Sequence, residues 1–321
     1  MTTGLLHFDS IFLPLSIFSA ASTEAQHITT LTNWFLVAAG FILLVVTVLL
    51  IYVVIKFKAK PGDPEPKQVG NNRKVEAAMI GVPFLMVTGF FIYTINVMQE
   101  VHPAAEIEQP DVVVTGHQWW WEASYPGTGA ITANVIHVPV NKRVLLQFSS
   151  SDVIHDWWVP ELGPKMDMMP GKKTHLWLNI NKPGIYEGAC SEFCGEQHAW
   201  MRIRVVAQNW DDYQLWLQQK DQPAQEPTSA VALRGKAIFN RATCGNCHAI
   251  RGTVAQGQAG PDLTHFASRP VMLAGMMPTT PDNLREWLTN PQAVKPGAHM
   301  PRFIFEQDSI NALVAYISGL K

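Results

Sequence analysis

Cysteine is scarce in this chain. Its 321 residues hold four, in two close pairs, Cys190/Cys194 and Cys244/Cys247. None precedes residue 190, so a lipid anchor on an N-terminal cysteine is not expected. Lysine and arginine are missing from the first 30 residues. The segment LLHFDSIFLPLSIFSAAS therefore lacks the basic start of a signal peptide, and it carries Asp9; the first 26 residues are expected to be retained. Charge is nearly absent from two long stretches: Leu31 to Phe57 holds only Lys56, and Glu76 to Met98 only Glu76. No internal repeat is visible. The overall balance, a formal net charge of −2 with 47% hydrophobic residues, decides little until it is mapped along the chain.

Mapped, it divides the chain. At 1.5 Å per residue each apolar stretch can cross a hydrocarbon core of about 30 Å. Neither shows the polar face that a helix packed on a soluble core would carry, so the sequence predicts membrane helices at about 31–57 and 76–98. The loop between them carries Lys56, Lys58, Lys60, Lys67, Arg73 and Lys74. The positive-inside rule places that loop in the cytoplasm, and both termini with everything after Met98 on the periplasmic or extracellular side.

From 99 to 220, runs such as DVVVTGHQWWWEASY, ITANVIHVPV and HAWMRIRVVAQ alternate with Pro/Gly turns, the pattern of an all-β sandwich or barrel. Residues 221–230, DQPAQEPTSA, have linker composition. Beyond them the period becomes helical. Ile310, Leu313, Val314 and Ile317 follow i, i+3, i+4, i+7, and Thr280-Pro281 reads as an N-cap with proline at the first helical position. Residues 231–321 thus form a small α-domain. Residues 99–221 hold 9 Lys/Arg against 15 Asp/Glu, a net of −6; residues 231–321 hold 9 against 5, a net of +4. Opposite signs favour docking of the two modules.

CGNCH, comprising Cys244, Cys247 and His248, is the C-x-x-C-H pattern of covalent c-type haem attachment. The two thiols reach the vinyl groups and the histidine lies beneath the iron. A thioredoxin-like redox pair would need a βαβ setting, whereas this stretch reads as helical. Met/His ligation suits electron transfer. Met300, followed by proline in a loop before the last helix, is the preferred sixth ligand, with Met276 and Met277 as competitors. His299 beside it reads as facing solvent or a propionate, and His265 as structural.

The stretch GACSEFCGEQHAWM gathers Cys190, Cys194, His198 and Met201 within twelve positions. A disulfide is compatible with an oxidising compartment but leaves the histidine and methionine unused. Zinc has no use for the methionine, and a blue-copper site uses a single cysteine. The remaining reading is a pair of coppers bridged by both thiolates, each finished by one histidine and one weak ligand. It needs a second histidine. His155 in SSSDVIHDWWVP, at a strand end and followed by aromatics, is placed for it. His102, His117, His137 and His175 lack such settings.

With these motifs in this order, the chain resembles subunit II of haem–copper cytochrome c oxidases of the caa3 type, which carry a fused cytochrome c. The resemblance covers residues 30–321. It implies a multidomain membrane protein: a two-helix transmembrane hairpin in 1–98, a cupredoxin-like Greek-key β-sandwich or barrel in 99–220, a linker, and an all-α class I c-type cytochrome domain. It implies that Cys190 and Cys194 bridge the two coppers of a CuA centre. His155 and His198 then bind one copper each, Met201 completes one, and the Glu192 carbonyl the other. The Glu192 side chain would hold Mg²⁺ at the boundary with subunit I. GHQWWWE resembles the family's G-H-Q-W-Y-W, with Trp120 in place of tyrosine and Trp119 as the electron-accepting tryptophan. Glu76 would stand at the entrance of a proton pathway, and Asp167 in KMDMMPGK would hydrogen-bond near the copper site.

The resemblance further implies an electron-input subunit of a respiratory oxidase in a bacterial plasma membrane, coupled to proton pumping. Its partners are oxidase subunits I and III and an upstream donor, either a cytochrome c or a cytochrome bc or alternative complex; nucleic acid is not among them. No oxygen-reducing site is expected in this chain. Three rivals remain. A quinol oxidase subunit would lack the copper ligands. The small subunit of a copper-containing nitric oxide reductase could carry the same centre, and a membrane-tethered copper or haem carrier would need no fused cytochrome.

Overall fold

The computed structural model describes residues 16–65, 70, 72–102 and 109–321. Most of the N-terminal segment expected to be retained, with Asp9, and Lys67 of the basic loop lie outside the described residues. The chain forms two compact units. One runs from Gln26 to Pro103; the other joins the residues up to Ala25 with those from Ala104 onward.

The first unit is a helical hairpin, α1 (Thr23–Lys56) and α2 (Arg73–Val101). Their mean hydropathies over an 18-residue window are 3.0 and 1.9, and the apolar side chains in those windows are not covered by protein. Such surfaces are satisfied by lipid. The polar groups along them close on themselves: the hydroxyls of Thr30, Thr32, Thr88 and Thr94 each donate to the carbonyl four residues back at 2.8–2.9 Å. Phe35 and Phe90 meet edge to face at 6.1 Å across the hairpin.

α1 begins eight residues earlier than the hydropathy suggests. Ser22 is its cap, accepting from the Ala25 N–H at 3.0 Å while its own hydroxyl donates to the Leu162 carbonyl at 2.5 Å. Residues 21–25 belong to the second unit and bond within it: the Ala21 N–H donates to the Glu161 carbonyl, and the Glu24 carboxylate accepts from the Asn179 N–H. Hydropathy reads the apolar run, whereas these bonds come from residues about 140 positions away.

The second unit opens with a Greek-key sandwich. Its strands are β1 (Val112–His117), β2 (Trp120–Ser124), β3 (Ile131–Ala133), β4 (Val135–Pro139), β5 (Arg143–Ser150), β6 (His155–Trp158), β7 (Met166–Met168), β8 (Thr174–Asn179), β9 (Gly184–Cys190) and β10 (Arg202–Gln208). One sheet runs β3-β2-β1-β5-β8 and the other β4-β10-β9-β6-β7. Two pairings are parallel, β1 with β5 and β4 with β10, so the chain crosses between sheets rather than meandering. In β1, Val112, Val114 and Gly116 turn inward while Val113, Thr115 and His117 are half-exposed, the period of two that the sequence carries. The core between the sheets includes Trp121, Phe148, Trp157, Leu176, Leu178 and Ile203.

The sandwich ends in a helix absent from the sequence reading, α3 (Trp210–Lys220), whose first turn carries Asp211 and Asp212. The linker that follows is anchored at its start: the Ala224 N–H donates to the Arg251 carbonyl, and the Gln222 carbonyl accepts from Arg251 and His265.

The helical module comprises α4 (Ala230–Arg241), α5 (Pro281–Thr289), the short α6 (Pro291–Val294) and α7 (Gln307–Ile317). A two-residue ribbon of β11 (Val271–Met272) and β12 (Met277–Pro278) lies between α4 and α5. Ser229 and Thr280 cap α4 and α5 through their hydroxyls. α4 crosses α7 closely at Gly235, which lies against the Ala312 carbonyl where a Cβ would collide.

Candidate metal centre and haem site

The first site is built by the hairpin between β9 and β10. Cys190 is the last residue of β9, and Met201 immediately precedes β10. The Cys190 N–H donates to the Met201 carbonyl at 3.0 Å, closing the base of the loop. Inside it, the two cysteine sulfurs stand 3.8 Å apart as separate thiols. Cys194 Sγ lies 3.6 Å from His198 Nδ1 and 3.8 Å from Met201 Sδ, and Cys190 Sγ lies 3.2 Å from the Glu192 carbonyl oxygen.

His155 comes from the neighbouring strand. β6 pairs with β9 at Trp157↔Cys190, which brings His155 Nδ1 to 4.0 Å from Cys190 Sγ. The ligand atoms of His155, Cys190 and Cys194 all lie within 4.8 Å of one another. His155 opens β6 rather than closing a strand as its sequence context suggested. The turn before it breaks the chain away from β5, with the Ser150 hydroxyl bonded to the Val153 carbonyl and accepting from the Asp152 N–H. Gly116 leaves room for the imidazole, since a Cβ there would approach His155 Cδ2 to 2.7 Å.

His155 is 0% exposed, and Cys190, Cys194 and Met201 are buried with it. His155 Nε2 is held by Asp152 Oδ1 at 2.9 Å, leaving Nδ1 directed at the sulfurs. A carboxylate fixing the far nitrogen is how metal-bound histidines are commonly oriented. Burial opposes the imidazolium, but the bonds from Asp152 and Cys190 outweigh it and raise the His155 pKa. The Cys194 thiol holds Cys190 far below the usual thiol range, at about 3, while Cys194 is raised in return. Two buried thiols, a buried thioether, the buried His155 imidazole and the half-buried His198 imidazole fit a soft metal such as copper, and the close sulfurs fit two ions sharing them.

Around this set, Trp119 Nε1 and Gln118 Nε2 both donate to the Cys194 carbonyl, at 2.9 and 2.8 Å. The other face of Trp119 meets His299, ring centroids 5.0 Å apart. His299 is exposed, as expected, but beside this indole. Trp120 stacks instead on His117, at 4.1 Å and nearly parallel. Glu192 and Phe193 are exposed on the loop. Asp156, opposite Asp167 in the β6–β7 pair, is pushed up to about 7, first by burial and then by its neighbour's carboxyl. Asp152 and Gln118 carry no spacing signal that would have found them; each works through a fold contact 34 or more positions away, or through a turn the sequence does not announce.

The second site follows α4. After Thr243, in a left-handed conformation (φ 61°), Cys244–Asn246 form a 3₁₀ turn rather than a continuing helix. His248 Nδ1 donates to the Pro261 carbonyl at 2.8 Å, leaving Nε2 for an iron. Burial lowers the His248 pKa, favouring the neutral ligand form. Gly260 sits where a Cβ would press on the imidazole. Cys247 is exposed and Cys244 half-buried, and Met277 and Met300 both pack on the module's core. The paired cysteines and the oriented histidine fit a covalent c-type haem. His265 is structural: its two nitrogens bond the Lys321 and Gln222 carbonyls. Glu76 lies in the first turn of α2, behind the cap Asn72.

Two family models match the chain, one in each region. The family model for the periplasmic domain of cytochrome c oxidase subunit II matches residues 130–208, and that for cytochrome c matches 232–321. Cytochrome c oxidase subunit 2 of Alkalihalophilus pseudofirmus is 32% identical over 335 residues, covering 97% of each chain. That of Bacillus sp. (strain PS3) is 32% identical over 291 residues, covering 83% of this chain and 80% of its own. Among solved structures, the periplasmic domain of subunit II of cytochrome oxidase from Bradyrhizobium japonicum is 30% identical, covering 36% of this chain and 96% of that one, with a TM-score of 0.34.

Proposed function

The chain belongs to the cytochrome c oxidase subunit II family, with a cytochrome c domain fused behind the copper domain, and we propose from this that it feeds electrons from an upstream donor into the oxygen-reducing subunit through one haem c and a two-copper centre. Copper and haem c, membrane anchoring and partner oxidase subunits follow from the family. The chain divides into a membrane hairpin (1–98), a copper domain (99–220), a linker (221–230) and a cytochrome domain (231–321). The hairpin's loop lies in the cytoplasm and both redox domains outside. The partners are subunits I and III, and the donor is a cytochrome c or a complex that reduces one.

When bound, the copper pair and the haem supply one-electron chemistry. The protein's part is to hold and orient. Cys190 and Cys194 offer the shared thiolates, His155 and His198 an imidazole to each side, Met201 a weak thioether and the Glu192 backbone a carbonyl. Because β6 and β9 fix His155 and Cys190 and the Cys190–Met201 bond closes the loop that carries Glu192, Cys194 and His198, the site has little freedom to rearrange between oxidation states. The hydrophobic wall of Trp121 and Trp157 around His155 excludes water. Trp119 spans from the Cys194 carbonyl to His299. Cys244 and Cys247 would hold the haem covalently, with His248 and Met300 as its iron ligands. The exposed Glu192 carboxylate suits a Mg²⁺ shared with subunit I, and Glu76 a proton entrance for a pumping oxidase.

The observation that carries this reading is the buried convergence of His155, Cys190 and Cys194. Elemental analysis and EPR of the purified full chain test it. Two coppers and one haem per chain, with hyperfine structure from one electron shared equally by two coppers, is the expected result. A single-copper signal would contradict it.

A further inference from the structure

The seam between the copper loop and the cytochrome module is made by few groups, and one of them is costly to place. Gln197, between Cys194 and His198, donates to the Pro296 carbonyl. The Arg202 N–H, at the start of β10, donates to the Ala274 carbonyl at 3.2 Å. Lys295 reaches the other way: its ammonium donates to the Trp119 carbonyl at 3.2 Å and to the Leu273 carbonyl at 3.4 Å. Lys295 is only 5% exposed. Burying an ammonium is unfavourable unless its donors are satisfied, and lysine is seldom buried without reason.

The acceptors are themselves specialised. Leu273 and Ala274 are consecutive left-handed residues, φ 55° and 58°, a conformation that residues other than glycine seldom adopt. Their carbonyls take the Lys295 and Arg202 bonds. Four residues after Lys295, His299 lies against Trp119, which is 7% exposed and donates its indole N–H to the Cys194 carbonyl. The net charges of −6 and +4 pointed to docking through opposite surface charges; the most deeply buried cation of the seam grips backbone carbonyls instead.

We propose that Lys295 is the positioning residue for electron transfer within this chain: by clamping the Trp119 carbonyl to the Leu273 carbonyl, it holds the 295–300 loop against the indole that rests on the copper loop. The inference rests on the electron-input reading above. One electron leaves the reduced haem c, which becomes ferric, and the oxidised copper centre is reduced by one; no bond is made or broken, and Lys295 keeps its proton throughout.

The test uses the assembled oxidase carrying Lys295→Met, Lys295→Gln or Lys295→Arg. The internal haem-to-copper rate is followed after flash reduction, and backbone hydrogen exchange at Arg202 is followed by mass spectrometry. Losing a hydrogen bond from a charged donor should weaken docking roughly tenfold. Lys295→Met and Lys295→Gln should therefore slow the transfer by about that factor and expose the Arg202 amide, while the haem and copper spectra and direct reduction of haem by a small reductant stay unchanged. Lys295→Arg, which keeps a cationic donor, should recover most of the rate. Wild-type transfer in Lys295→Met would overturn the proposal. So would loss of the haem spectrum in both Lys295→Met and Lys295→Gln, because Lys295 would then be supporting the fold of its own module. Absence of a two-copper signal in the wild-type complex would instead contradict the electron-input reading on which the proposal rests.

Discussion

The two cofactor regions are built by opposite strategies. At the copper loop, three donors come from the ends of hydrogen-bonded strands, with Cys190 closing β9, Met201 abutting β10 and His155 opening β6, all buried, and Cys194 and His198 lie in the loop that these strands close. The sheet holds them whatever is bound. At the haem region, Cys247 is exposed, Cys244 sits on a 3₁₀ turn after α4, and Met300 lies in a segment without regular structure. That module is a set of short helices on whose apolar core Cys244, Met277 and Met300 pack. The difference teaches where each region's stability resides: the sandwich closes its core on side chains alone, Trp121, Phe148 and Trp157 among them, whereas the helical module's core, Phe239, Ile250 and Leu313 among it, is one that a haem on its cysteines would extend.

Removing the covalent group should separate the two most sharply. Cys244→Ser with Cys247→Ser should abolish haem staining and erase the calorimetric transition of the helical module while leaving that of the sandwich in place. A helical module that melts normally without its haem would break the contrast. Attacking the sandwich itself comes next: Phe148→Ala, wholly buried between the sheets, should cost about 3–5 kcal/mol. Denaturant titration should register this in the sandwich and not in the haem spectrum.

A smaller effect probes preorganisation. Asp152→Ala releases His155 Nε2 without touching a donor atom, and copper affinity by chelator competition should fall about 10- to 100-fold. Unchanged affinity would mean that strand pairing alone orients the ring. The smallest is Ser229→Ala, which removes the cap of α4 and should cost about 1 kcal/mol in the helical module alone. An equal shift in both modules would mean that they melt as one.

Much of this was readable from residue patterns where the determinants are local. The apolar runs announced α1 and α2, and the C-x-x-C-H spacing announced the haem turn. Cys190, Cys194, His198 and Met201 lie within one hairpin, so spacing alone grouped them. His155 is 35 positions from Cys190 and meets it only through the β6–β9 register, which sequence suggests but does not determine. The early start of α1 depends on Glu161 and Asn179, far along the chain. α3 is different. Asn209 at its cap with Asp211 and Asp212 behind it is a helix-start signal, obscured by the strand-like run before it. Asp152 orients His155 through an irregular turn that the sequence does not announce, and Lys295 acts through the backbone carbonyl of a residue 176 positions away, which no side-chain pattern encodes.

Electron passage between the haem and copper modules of one chain is the step on which the proposed function turns. The most direct measurement is the decay of flash-reduced haem c in the copper-loaded full chain in detergent, followed at the haem and copper absorption bands over serial dilution. The account predicts a first-order decay, matched by copper reduction, whose rate is unchanged by dilution. A rate that falls in proportion to protein concentration would mean that the haem reaches the copper centre only of another molecule, and would contradict it.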